Sequence, residues 1–166
     1  MTRLTLMMPG VAAGVMLACI AAPAAAQSAR GDTTVRVLQP VTVVKSADLN
    51  FGRVLPAATA ATVAVAEDGT RTCGANLRCF GSTTAGAFTV TGSAGETVSI
   101  TLASPTVTLR NTGGAQTMTA TIAISIRSLV LTNGTGTFRV GGTLNVGANQ
   151  AAGTYTGQYT VSVNYQ

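Results

Sequence analysis

The feature that most constrains this chain is an alternation of apolar and polar residues with a period of two, which recurs along most of the sequence. A period of two places successive side chains on opposite faces of an extended backbone, so it is typical of half-buried β-strands. A clear run covers residues 118–126, and the clearest one covers residues 155–165. In the second run, one face carries the residues Tyr155, Tyr159, Val161, Val163 and Tyr165.

Residues suited to tight turns separate these runs. Asp68-Gly69 and Asn133-Gly134 tolerate a positive φ and favour hairpin turns, and further glycines stand between the other runs. No segment of helical length shows an apolar period near 3.6 residues. We therefore predict an all-β fold, an immunoglobulin-like antiparallel β-sandwich of about seven to nine strands. A closed barrel is the architectural alternative.

The N-terminus has the pattern of a secretory signal peptide. Arg3 is followed by an apolar run over residues 4–20 and then by small residues up to Ala26. This order predicts cleavage after Ala26 and export to the periplasm, the outer surface or the medium.

The predicted organisation is a signal peptide over residues 1–26, an extended N-terminal arm over residues 27–39 and a sandwich domain over residues 40–166. The arm contains Val35 and Val37, which are two residues apart and so lie on the same face of an extended segment. Pro40 follows, and because proline has no backbone N–H it cannot donate a hydrogen bond to a neighbouring strand. Two interpretations remain open for this segment. It is either one interrupted edge strand, or an arm followed by the first strand.

Two cysteines follow the predicted cleavage site, Cys73 and Cys79. In an oxidising compartment a close pair of this kind predicts a disulfide that closes a small loop. The chain has no histidine, so a zinc site built on this pair is not expected.

The sequence offers little catalytic chemistry. It has no histidine and only five carboxylate side chains, and no serine stands in a G-x-S-x-G elbow. The basic residues are scattered singly, whereas nucleic-acid binders cluster them on one stripe. We therefore expect no enzymatic activity, no cofactor, no metal, no small-molecule substrate and no nucleic-acid partner.

Residues 155–165 contain neither a charge nor a proline. Exposed sheet edges are normally protected by such residues, so this strand either lies in the middle of its sheet or presents an edge to a partner. The tyrosines on its apolar face either pack against the sheet or form a platform for sugars.

Several blocks of the sequence resemble an exported bacterial family known as domain of unknown function 4402, whose layout is similar to that of chaperone–usher pilus subunits of the spore-coat-protein-U type. The blocks are Asp48–Gly52, Gly86–Gly92, Val140–Val146, Gln150–Gly157 and Val161–Tyr165. Cys73 and Cys79 are not part of the family pattern.

The resemblance to pilus subunits implies a fold that lacks one strand, which a periplasmic chaperone and then the arm of the next subunit supply. Gly153 and the penultimate Tyr165 match the ending of such subunits, so the strand from Gly153 to Tyr165 is the predicted assembly strand. Val35 and Val37 would form the donor arm. The implied function is a non-enzymatic exported structural subunit with a chaperone and copies of itself as partners. The alternative is a self-contained secreted binding module for polysaccharide or adhesion.

Overall fold

The computed structural model describes residues 27–124 and 126–166. The predicted signal peptide lies outside these residues. Residues 27–35 belong to a first compact unit and contain no strand, whereas residues 36–166 form a second unit, the β domain. No helix in the described part of the chain is long and apolar enough to cross a membrane.

The described residues contain thirteen strands and no helix, which confirms the predicted all-β class. The strands are β1 Thr42–Ala47, β2 Arg53–Leu55, β3 Ala61–Val65, β4 Arg71–Cys73, β5 Arg78–Phe80, β6 Gly86–Thr91, β7 Thr97–Leu102, β8 Thr106–Asn111, β9 Thr117–Ile124, β10 Ser128–Val130, β11 Thr135–Val146, β12 Tyr155–Thr156 and β13 Val161–Tyr165. The count exceeds the predicted seven to nine because five of the strands are only two or three residues long.

Eight strands form one large antiparallel sheet in the order β1-β6-β11-β9-β8-β12, with β3 paired to β11 and β4 paired to β3. The central strand β11 changes partner along one edge. Residues Thr135 to Val140 pair with β6, and residues Gly142 to Val146 pair with β3. Gly141 stands at this change of partner.

The other strands form a three-stranded sheet, β10-β7-β13, and a two-stranded ribbon, β2-β5. Val98 and Ile100 of β7 are almost completely buried and belong to the same apolar core as Phe138 and Val140 of β11. The small sheet and the large sheet therefore share one core, as expected for two packed layers. This confirms the predicted β-sandwich.

The alternation predicts the buried faces well. Ala120, Ile122 and Ile124 of β9 are buried, while Thr121 and Ala123 between them are exposed. The predicted face continued to Ile126, but the strand ends at Ile124 and Ile126 is 39% exposed.

Candidate functional site

An apolar cleft of about 770 Å³ lies beside the large sheet. Its floor consists of side chains from β8, β9 and β11, namely Val107, Leu109, Met118, Ala120, Ile122, Leu144 and Val146. One wall is residues 48–56, and the other is residues 150–157 together with Tyr159. Five of these floor side chains are buried and two, Leu109 and Met118, are half-buried, so the cleft borders the core on this side.

The first wall includes β2, which pairs only with β5 among the described strands. Leu49 and Phe51 reach the large sheet at Gly142, where an added Cβ would lie 3.1 Å from Leu49 and 3.3 Å from Phe51. The edge of β2 that does not face β5 has no ladder partner among the described residues. This wall therefore combines an apolar contact to the sheet with an open strand edge.

The second wall is a loop that forms a hydrogen bond with the buried side chain of Asn111. Asn111 is 8% exposed and donates a hydrogen bond from Nδ2 to the carbonyl of Ala152 at 3.2 Å. Gly153 has a φ of +152°, and a Cβ on it would come within 2.4–2.7 Å of the Asn111 side chain. Gly153 is thus required for the approach of the loop to β8. It lies before β12 and not within a strand.

The predicted assembly strand is divided in the structure. Tyr155 and Thr156 pair with β8 in the large sheet, whereas Val161 to Tyr165 pair with β7 in the small sheet. The prediction of one continuous strand was therefore wrong, because the chain passes from one layer to the other between these segments. Gly157 permits the passage, since a Cβ there would lie 2.9 Å from the carbonyl oxygen of Thr108.

The final strand, β13, is an edge strand within the described residues, because β7 is its only ladder partner. Of the two alternatives left open by the sequence, the central position is excluded for the described residues. Val161, Val163 and Tyr165 are half-buried, and Ser162 and Asn164 are exposed. No charge or proline protects this edge.

The three tyrosines predicted on one face have different surroundings. Tyr155 donates a hydrogen bond to the carbonyl of Ala151 at 2.9 Å and accepts one from Gln150. Tyr159 packs edge-on against Phe88, with ring centroids 6.1 Å apart. All three are half-buried, and Tyr165 lies apart from the cleft that Tyr155 and Tyr159 line, so they do not form a single exposed platform.

Tyr165 holds the start of the β domain in place through hydrogen bonds of its hydroxyl. Its hydroxyl accepts a hydrogen bond from the Ser93 amide and donates one to the Gln39 carbonyl, both at 2.7 Å. The Gln39 amide donates to Ser93 Oγ at 2.7 Å, and Arg36 forms an ion pair with Glu96. Residues 36–39, at the end of the predicted arm, are therefore held by the turn between β6 and β7.

The hydroxyl of Tyr159 is buried and has no hydrogen-bond partner among the described residues. Burial, with a smaller contribution from the negative charge of Asp48, raises the pKa of this phenol. The hydroxyl lies against β6, since a Cβ on Gly86 would come within 2.3 Å of it. The side chain of Tyr159 is thus held in the wall of the cleft by packing of its ring and not by a hydrogen bond from its hydroxyl to any described residue.

Replacing Tyr165 or Tyr159 with phenylalanine tests this difference. Tyr165→Phe leaves the Ser93 amide and the Gln39 carbonyl without their partner, so we expect unfolding to become easier by about 1–3 kcal/mol. Tyr159→Phe removes an unpaired buried hydroxyl, so we expect a gain of about 1 kcal/mol. Urea denaturation of both variants measures the two changes, and shifts of the same sign would contradict the assignment.

The acids do not gather into a metal site. Among the described residues, no group of three or more histidine, cysteine or acidic side chains could hold a metal ion. Asp68 accepts a hydrogen bond from the Thr70 amide at 2.8 Å, and this bond lowers the pKa of the Asp68 carboxyl. Asp68 therefore caps the turn before β4, as its Asp-Gly sequence indicates.

The predicted donor residues Val35 and Val37 are each 88% exposed. Strand structure begins only at Thr42, after Pro40, and β1 then pairs with β6 at the edge of the large sheet. Of the two interpretations of this segment, the structure has an arm followed by a first strand.

Comparison with known proteins agrees with the sequence blocks noted above. No curated protein matches the sequence. The family described as domain of unknown function (DUF4402) matches residues 41–165, which span the β domain from Val41 to Tyr165. The match includes both walls of the cleft and its floor. The chain therefore belongs to the DUF4402 family.

Proposed function

We propose that this protein is a non-enzymatic structural subunit that is exported and assembles with copies of itself by β-strand addition, like a fimbrial subunit. The observation that carries the proposal is the apolar cleft beside the large sheet, with an open edge of β2 in one wall. An extended segment placed there could pair with that edge and cover apolar side chains of the floor.

The floor of the cleft suits an alternating strand. Leu109 and Met118 are half-buried side chains opposite each other in the register of β8 and β9, and Ala120 and Val107 form the next inward pair. Val107 and Ala120 are already buried, so an incoming strand that presents apolar residues at every second position would mainly cover Leu109 and Met118. The free energy gained would be roughly 25 cal/mol for each Å² of apolar surface removed from water.

The arm has the features of such an incoming strand. Val35 and Val37 are two residues apart, so they point to the same side of an extended segment. Both are 88% exposed in the single chain. Large apolar side chains in an extended terminal segment gain stability only when another surface covers them.

Export is part of this proposal. The order of residues 1–26 supports a cleaved signal peptide, and the disulfide between Cys73 and Cys79 is typical of an oxidising compartment. A periplasmic chaperone would protect the open edges before assembly. N-terminal sequencing of the exported protein should start at Gln27, and an intact Met1 would contradict export by this route.

The test of assembly is a pair of substitutions that keep the arm but make it polar. We expect the exported protein to form oligomers that appear as ladders on gels of unboiled samples. Val35→Asp with Val37→Asp should abolish the ladders, because the carboxylates cannot enter an apolar cleft without a large desolvation cost. This variant keeps Arg36 and Gln39, whose contacts hold the start of the domain.

A matched control uses two other exposed valines. Val44→Asp with Val130→Asp introduces the same charges at positions that are 64% and 54% exposed and lie outside the arm and the cleft. This control should assemble like the unchanged protein. A protein that stays monomeric at every concentration, or an arm variant that assembles normally, would refute the proposal.

A further inference from the structure

We propose that the disulfide between Cys73 and Cys79 is a positioning element for the cleft, because it anchors the β2-β5 ribbon to the large sheet. The inference rests on the proposed function, since it concerns the wall against which the incoming strand would pair. The disulfide is present as predicted, but its place in the sheet topology gives it a role that its spacing of six residues does not suggest.

The ribbon is weakly held by its own ladder. β2 and β5 pair through only three residue pairs, and neither strand pairs with any other described strand. A two-stranded ribbon is marginally stable by itself, so its position depends on other contacts. Because β2 forms part of one wall, any movement of the ribbon changes the width of the cleft.

The disulfide connects two different sheets. Cys79 is the central residue of β5 and pairs with Val54 of β2. Cys73 ends β4 and pairs with Val63 of β3, which belongs to the large sheet and is completely buried. The disulfide therefore connects the ribbon, through β4 and β3, to the core of the large sheet.

A second contact also connects β4 with the ribbon. Arg71 of β4 donates hydrogen bonds from Nη1 to the carbonyls of Phe80 and Gly81, at 3.0 and 3.1 Å. The guanidinium passes against Gly52, where an added Cβ would lie 2.6 Å from Nη1. Both connections start from β4, but only the disulfide fixes a distance covalently.

The loop closed by the disulfide is short, so its effect on the entropy of the unfolded chain is small compared with that of a long loop. Its main consequence is local, because it restricts where β5, and with it β2, can lie. Preorganisation of this kind increases affinity by reducing the cost of ordering the binding surface.

The experiment measures binding of a synthetic peptide with the sequence of residues 27–39 to the full chain. The acceptor carries Val35→Asp and Val37→Asp, so that its own arm does not compete. Adding Cys73→Ser with Cys79→Ser should weaken peptide binding by about tenfold or more. A control acceptor carries Val98→Ala instead, which destabilises the core at β7 and should leave peptide affinity unchanged at a temperature where all acceptors are folded.

Hydrogen exchange supplies a second measurement that does not depend on the peptide. In the double serine variant, amides of residues 50–55 should exchange about tenfold faster, while amides of β9 and β11 keep their protection. Unchanged exchange at residues 50–55, or equal peptide affinity with and without the disulfide, would overturn the inference and leave the proposed function intact. Failure of the acceptor with its disulfide to bind the peptide would instead count against the arm as the occupant.

Discussion

Replacing Phe138 with alanine is expected to lower the free energy of unfolding by about 3–5 kcal/mol, the largest effect of any single substitution considered. Phe138 lies in the central strand β11 and is only 2% exposed. Its ring stacks on Phe88 of β6 with centroids 5.2 Å apart and nearly parallel planes. Truncation removes this contact and leaves a cavity in the middle of the core.

Phe80→Ala is the matched control for this substitution. Phe80 is 48% exposed, so truncation there removes much less buried surface and should cost less than about 1 kcal/mol. Urea denaturation followed by far-ultraviolet circular dichroism measures both changes. Similar losses in the two variants would show that Phe138 is not central to the core.

Replacing Gly141 with alanine is expected to lower the free energy of unfolding by about 1–3 kcal/mol, because the new Cβ has no room. The Cβ would lie 2.6 Å from the carbonyl oxygen of Val65 and 3.2 Å from backbone atoms of Ala66 and Glu67. Backbone atoms cannot move aside as the end of a side chain can. The strain would fall where β11 changes its partner from β6 to β3.

Gly113→Ala provides the comparison for Gly141. Apart from its chain neighbours, the described part of the chain places only Oδ1 of Asn111 within 4 Å of a Cβ at Gly113, at 3.8 Å, and Gly113 has no positive φ. This substitution should be close to neutral, or slightly stabilising, since alanine reduces the freedom of the unfolded chain. Equal denaturation midpoints for the two variants would contradict the steric explanation of Gly141.

The candidate site shows where sequence-based prediction fails. The tyrosines at 155, 159 and 165 share one parity, which predicted a single strand face, but they lie in three different environments. Parity describes only the local direction of a side chain, so it could not show that the chain changes sheets after Thr156. The alternation over residues 118–126 predicted one shared face for the floor residues Met118, Ala120 and Ile122, whereas nothing local indicated that a cleft lies above them.

Some features followed from the sequence alone because their causes are local. The period of two over residues 118–126 predicted which residues of β9 face the core, and Asn133-Gly134 marked a turn that the structure has with positive φ at both residues. The disulfide was predictable from a close pair of cysteines. Each of these depends on the chemistry of neighbouring residues, which a sequence contains in full.

The pairing of the strands was decided by the tertiary structure. Any extended segment can offer the same backbone donors and acceptors, so the alternation cannot indicate which strand pairs with which. Packing between residues far apart in the sequence decides that β13 lies at the edge of the small sheet and that Tyr155 belongs to the large sheet. It also decides that β2 pairs in a separate ribbon. The alternating pattern thus determined a set of half-buried strands, whereas the open edges and the cleft come from long-range contacts.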